Sequence, residues 1–120
     1  MNITKRTNPD FLNGLPELLL LRLLARQPMH GYELVQAIKL HSDAALEFGE
    51  GCIYPILHRL ERDKLLSSRR EAVGGRSRVV YCLTPAGLRK LEESTTAWER
   101  VVHAVGRVLR GGAHVEASPA

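Results

Sequence analysis

The sequence predicts a mainly α domain with a small β-hairpin and a long C-terminal helix. Three observations lead there. Apolar residues recur at helical spacing in the first half of the chain, a glycine pair separates two short strand-compatible runs, and a Thr-Pro start signal opens a seam of heptad spacing. With 120 residues, 44% of them hydrophobic and 25% charged, the chain has the size and composition of one folded unit.

Residues 1–14, with Asn2, Thr4, Lys5, Arg6, Asn8 and Pro9, lack apolar periodicity and read as a flexible arm ending in a turn at Asn13-Gly14. Pro16 suits a first helical position and Glu17 the positive end of the helix dipole, so a helix is expected over 16–26, stopped by Pro28. Its leucines, Leu18 to Leu21 with Leu23 and Leu24, point almost all round. One face cannot bury them all, which implies a second covering surface such as a partner subunit. A second helix, from His30 to about His41, places Leu34, Val35 and Ile38 on one stripe. Ile53, Ile56, Leu57 and Leu60 define a third over 51–64, whose other face carries Tyr54, His58, Arg59 and Arg62.

Leu65–Ala72 and Arg78–Leu83 are the strand-compatible runs, and Gly74-Gly75 between them supplies the positive φ angles of a tight hairpin. Thr84 as N-cap and Pro85 at the first position start a last helix over 84–110, with Gly111-Gly112 as its stop and 111–120 as a disordered tail. Helix, helix, helix, hairpin is the order of a winged helix-turn-helix, which assigns residues 15–83 to that unit and 84–110 to a separate helix.

Seventeen Lys and Arg against 13 Asp and Glu give a net charge of +4, which favours a polyanionic partner. From His58 to Arg78 seven Arg and Lys stand against three carboxylates, so this segment alone carries a surplus equal to that of the whole chain. Lys64, Arg76, Ser77 and Arg78 belong to it, and Arg76 and Arg78 bracket Ser77 beside a glycine-rich tip where guanidinium groups can reach phosphates. The alternative reading is a solvated, charged loop.

In the last helix Leu88, Leu91, Thr95, Trp98, Val102, Val105 and Leu109 alternate spacings of three and four, a seam that calls for another helix. With Leu18 and Leu21 from the first helix it offers the self-complementary surface of a homodimer. Trp98 sits mid-seam, where its ring either packs in the interface core or stacks on a planar aromatic effector held between two subunits.

The five histidines show no H-E-x-x-H or comparable spacing, so neither a metal site nor catalytic chemistry is expected, and no cofactor. Cys52 and Cys82 form no C-x-x-C pair and read as small buried fillers, the other reading being a thiol- or metal-responsive sensor. The N-terminus lacks the regions of a signal peptide, and the longest apolar run ends at Arg22, far short of a membrane span, which points to the cytoplasm.

Three ordered segments resemble the PadR family of transcriptional regulators: His30-Gly31-Tyr32-Glu33-Leu34, Gly51-Cys52-Ile53-Tyr54-Pro55 with His58-Arg59-Leu60-Glu61, and Tyr81-Cys82-Leu83-Thr84-Pro85-Ala86-Gly87. The resemblance covers roughly 15–110, and the single last helix is similar to that of the compact subgroup, in which it drives dimerisation. It implies a dimeric repressor of double-stranded operator DNA, with no enzymatic step and a small-molecule effector at the dimer interface. By that resemblance Tyr32, Tyr54, Pro55, His58 and Arg59 lie near DNA, Arg76 and Arg78 form the wing, and Lys5 and Arg6 are weaker candidates. Cys52 stands where members usually carry Thr or Ser, a poorer cap and donor, which argues against a DNA contact there.

Overall fold

A computed structural model describes residues 9–116. Helix α1 spans Pro9–Arg26, β1 Met29–His30, α2 Gly31–His41, α3 Glu50–Arg62, β2 Leu66–Val73, β3 Arg76–Leu83 and α4 Pro85–Glu116. The three strands form one antiparallel sheet in the order β1-β3-β2. Helices, hairpin and long last helix thus follow in the expected order. The two-residue β1, which pairs Met29 with Tyr81 and His30 with Val80, was not expected, because two residues carry no readable period.

The core gathers one stripe from each element. Leu20, Leu21, Leu34, Ile53, Leu57, Leu60 and Leu66 are fully buried, each worth roughly 1.5–3 kcal/mol of transfer free energy. Helix α1 lies at its centre, packed against α2, β3 and α4. The second covering surface expected for its leucines is thus supplied by the chain itself, in place of the partner subunit suggested for it. Leu20, Leu21, Leu23 and Leu24 are buried within the chain itself, and Leu18 and Leu19 pack half-buried against the same core. Leu21 is therefore withdrawn from the expected dimer surface, and so is Leu91, only 4% exposed in the same core.

Both expected limits of the terminal helices are corrected too. Asn13-Gly14 is helical, and Pro16 lies buried inside α1 instead of starting it. The proline forfeits one backbone hydrogen bond. Burial of its ring and of the leucines after it holds the helix across the gap. At the other end α4 runs through Gly111-Gly112 to Glu116. A glycine costs a helix about 1 kcal/mol but keeps both backbone hydrogen-bonding groups, so it weakens the ladder without cutting it. Lys5, Arg6 and the last four residues of the expected tail lie outside the described residues.

Local chemistry sets the other ends. His30 caps α2 in a capping box: its ring accepts from the Glu33 amide while the Glu33 side chain accepts from the His30 amide. After α3, the Lys64 amide bonds the Glu61 carbonyl and the Leu65 amide the Leu60 carbonyl, a Schellman ending with Lys64 at φ 64°. That left-handed position suits glycine. Lys64→Gly should therefore raise stability by about 0.5–1 kcal/mol, relief of backbone strain exceeding the entropy added to the unfolded chain. A urea midpoint that stays put or falls would refute this. The hairpin closes tighter than expected: Gly74 and Gly75, at φ 56° and 81°, make a two-residue turn directly flanked by the Val73–Arg76 pair.

Candidate nucleic-acid interface

Helix α3 is two-sided. Ile53, Leu57 and Leu60 are buried, while Gly51, Pro55, His58 and Arg62 are exposed on the opposite side. Tyr54 lies between, half-buried, with its ring against Gly31 at the start of α2. A Cβ added to Gly31 would stand 2.5 Å from the Tyr54 ring, so a larger residue there would displace the ring. One turn on, the rings of Tyr54 and His58 lie 6.3 Å apart, inclined by 49°.

Four of the expected contact residues converge beside this face. Tyr32 from α2, Tyr54 and His58 from α3 and Arg78 from β3 line a groove of about 420 Å³ that His30 also lines. Tyr81 forms part of its wall. Burial, then the carboxylate of Glu61 and then Tyr54, hold its phenol above the ordinary value, so it stays neutral. Pro55 is exposed on the outward side of α3, and Arg76 and Ser77 are exposed at the hairpin end, where Arg70 Nη1 donates to Ser77 Oγ at 3.3 Å.

Two expected contacts sit elsewhere. Arg59 donates from Nη2 to Glu17 Oε1 at 2.7 Å and approaches Asp63 at 4.0 Å, which ties α3 to α1, and it does not line the groove. Lys64 is exposed beyond the C-terminal end of α3, and its carbonyl accepts from the Thr84 hydroxyl at 2.8 Å. Charge alone could not reveal that Arg59 has a carboxylate partner 42 positions earlier.

One groove residue was missed. His30 Nε2 stands 2.8 Å from Arg78 Nη1. Sequence spacing shows His30 only as a helix start. Pairing of His30 with Val80 makes Arg78, two residues along the same strand, its diagonal neighbour.

The cysteines are both free, Cys52 exposed and Cys82 half-buried, so Cys52 is no buried filler. Partial burial of its sulfur nevertheless pushes the Cys52 thiol above its ordinary value, away from the reactive thiolate. Cys82 Sγ accepts from Arg69 Nη1 at 2.8 Å, and Arg69 is held by Glu71 at 2.7 Å. Among the described residues no group of His, Cys, Asp and Glu is placed to hold a metal ion. No described helix is long and apolar enough to cross a membrane.

Along α4 an apolar stripe remains uncovered. Of the nine exposed large hydrophobic side chains described, six lie on this helix: Leu88, Val101, Val102, Val105, Val108 and Leu109. Thr95 and Trp98 are half-buried along the same stripe.

Residues 20–93 match the family described as the transcriptional regulator PadR-like family. The chain belongs to the PadR family. The transcriptional regulator Rv3488 of Mycobacterium tuberculosis is 37% identical over 105 residues, a match covering 88% of this chain and 92% of that protein. The transcriptional regulator YqjI of Escherichia coli is 33% identical over 105 residues, but the match spans 83% of this chain and only 49% of that protein. Among solved structures, a PadR-like transcriptional regulator from Bacillus cereus superposes with a TM-score of 0.73 at 31% identity, covering 84% of this chain and 97% of that one. A PadR family regulator from Eggerthella lenta gives 0.67 at 33% identity over 83% and 82% of the two chains. The winged-helix fold and the long last helix are thus those of PadR transcriptional regulators.

Proposed function

We propose that this PadR-family regulator acts in the cytoplasm as a homodimeric repressor. Each subunit sets the exposed side of α3 into a major groove of an inverted-repeat operator, while the hairpin grips the flanking backbone. The observation that carries this reading is the convergence of Tyr32, Tyr54, His58 and Arg78 from three elements on one groove, with Arg62 of α3 and Arg76 of β3 also exposed. No carboxylate lines that groove, which suits a phosphate-rich partner. One subunit presents one reading helix. Two, related by a two-fold axis, read half-sites about 34–36 Å apart.

The uncovered stripe of α4 is the dimer surface in this reading, with Leu88, Thr95, Trp98, Val102, Val105 and Leu109 packing against a second copy. Exposed patches of this kind on a small protein mark interaction sites. A planar aromatic effector enters beside Trp98 and releases the operator. The thiol- or metal-sensor reading has no comparable support, given the raised Cys52 thiol and the absence of a ligand cluster among the described residues.

Selection of bound sequences from random duplex DNA tests the core of this reading. It should return an inverted repeat, and planar aromatic compounds that quench Trp98 fluorescence should release that duplex. Recovery of unrelated sequences with no repeat would overturn dimeric readout. Quenching without release would overturn the effector step alone.

A further inference from the structure

His30 is asked to accept two hydrogen bonds that one neutral imidazole cannot accept together. The Glu33 amide points at Nδ1 from 3.4 Å, and Arg78 Nη1 lies 2.8 Å from Nε2. A neutral ring has one acceptor nitrogen, and a protonated ring has none. When Nδ1 caps the helix, Nε2 carries the proton and faces the Arg78 guanidinium donor to donor. Glu33 Oε1, 3.4 Å from Nε2, is the acceptor within reach, and it already receives the His30 amide at 3.0 Å.

Arg78 has no carboxylate partner among the described residues to hold it elsewhere. Among the described residues Arg59 and Arg69 are held by Glu17 and Glu71, whereas no carboxylate lies within ion-pair distance of Arg78. The groups facing the His30–Arg78 pair are Tyr32 and Glu33 from α2, Tyr54 and His58 from α3, and Tyr81 from β3. Glu33 alone among them is acidic, and it does not line the groove.

We propose that His30 and Arg78 together form a seat for a backbone phosphate of the bound duplex, and that His30 takes up a proton when the seat is filled. A phosphate group offers several acceptor oxygens, so both side chains donate to it at once and the donor-donor conflict disappears. The imidazolium gives up its cap on the Glu33 amide and gains an anionic partner. The seat adjoins the exposed side of α3, so an anion bound there belongs to the strand flanking the groove that α3 enters. This inference rests on the DNA-binding reading above and adds to it a contact residue and a proton linkage.

The sign follows from the proton count. A complex that binds one more proton than its free components strengthens as pH falls, by at most about tenfold per unit. Histidine is the side chain suited to such exchange between pH 5 and 8.

The test measures affinity for the selected inverted repeat at pH 6 and pH 8 for the parent chain, His30→Asn, Arg78→Gln and His58→Asn. Asparagine keeps an N-cap acceptor without titrating, and Arg78 is exposed on a strand, so both variants are expected to fold; circular dichroism checks this. The parent chain should bind roughly three- to tenfold more tightly at pH 6 than at pH 8, as linked uptake of up to one proton allows. His30→Asn should bind more weakly than the parent at pH 8, one donor to the phosphate having been lost, and should lose most of the gain at pH 6, and Arg78→Gln should lower the salt slope by about one. A parental pH dependence in His30→Asn, or its loss in His58→Asn instead, would overturn the seat while leaving DNA binding in place. Inorganic phosphate that shifts the His30 ring resonances while the variants bind duplex like the parent would mark a free-anion site and also overturn it. Failure of every variant and the parent to bind any duplex would remove the DNA-binding reading itself, and the seat with it.

Discussion

Gly87→Ala is expected to destabilise the protein by about 2 kcal/mol, the overpacking cost of a methyl driven into a fixed backbone less the helix propensity that alanine gains. Gly87 is buried in the first turn of α4, where an added Cβ would meet the Leu65 carbonyl oxygen at 2.2 Å and Leu83 Cδ1 at 2.6 Å. The carbonyl cannot retreat. It accepts from the Thr84 amide at 3.1 Å and from the Thr84 hydroxyl at 3.0 Å, and the same hydroxyl accepts from the Gly87 amide at 3.0 Å. The close approach is therefore what ties the end of α3 to the start of α4. Gly106→Ala is the control. Its Cβ would meet the guanidinium end of Arg110 at 2.3 Å, a flexible side chain that swings away, so propensity should dominate and stability should hold or rise by up to about 1 kcal/mol. Urea denaturation of the two variants separates the cases; equal midpoints would show that the Leu65 backbone yields.

Removing both hairpin guanidinium groups is the second large effect. Arg76→Ala with Arg78→Ala should weaken binding to the selected duplex roughly 30–100-fold, since each charge-assisted hydrogen bond contributes about 1–1.4 kcal/mol in so exposed a setting. The slope of log affinity against log salt should fall by about two, one for each phosphate released. Stability should stay within about 0.5 kcal/mol, because both side chains are exposed. Arg59→Ala should behave in the opposite way. It breaks the link to Glu17 and so lowers stability, but leaves the salt slope unchanged. An unchanged slope in the double variant would show that the hairpin charges only solvate the surface.

These contrasts mark what the sequence made legible. The apolar periods of α2 and α3, the Gly74-Gly75 turn and the Thr84-Pro85 start are local signals, and each lies where its chemistry places it. Leu91 shows where a local signal is ambiguous. Its position fits the heptad seam and the monomer core equally well, and only the approach of α1 decides for the core. Pro16 illustrates the reverse case, a strong helix-start residue overridden by burial. The groove was half legible. Tyr54 and His58 followed from spacing on one helix, but the pairing of His30 with Arg78 spans 48 positions and depends on a two-residue strand without a pattern of its own.

The central claim is that two copies of this chain grip one duplex. Native mass spectrometry of the complex with the selected inverted repeat measures that directly. Two chains on each duplex, lost together as salt rises, is the predicted result. A single chain per duplex, or a folded monomer at high concentration that ignores every duplex at low ionic strength, would contradict it.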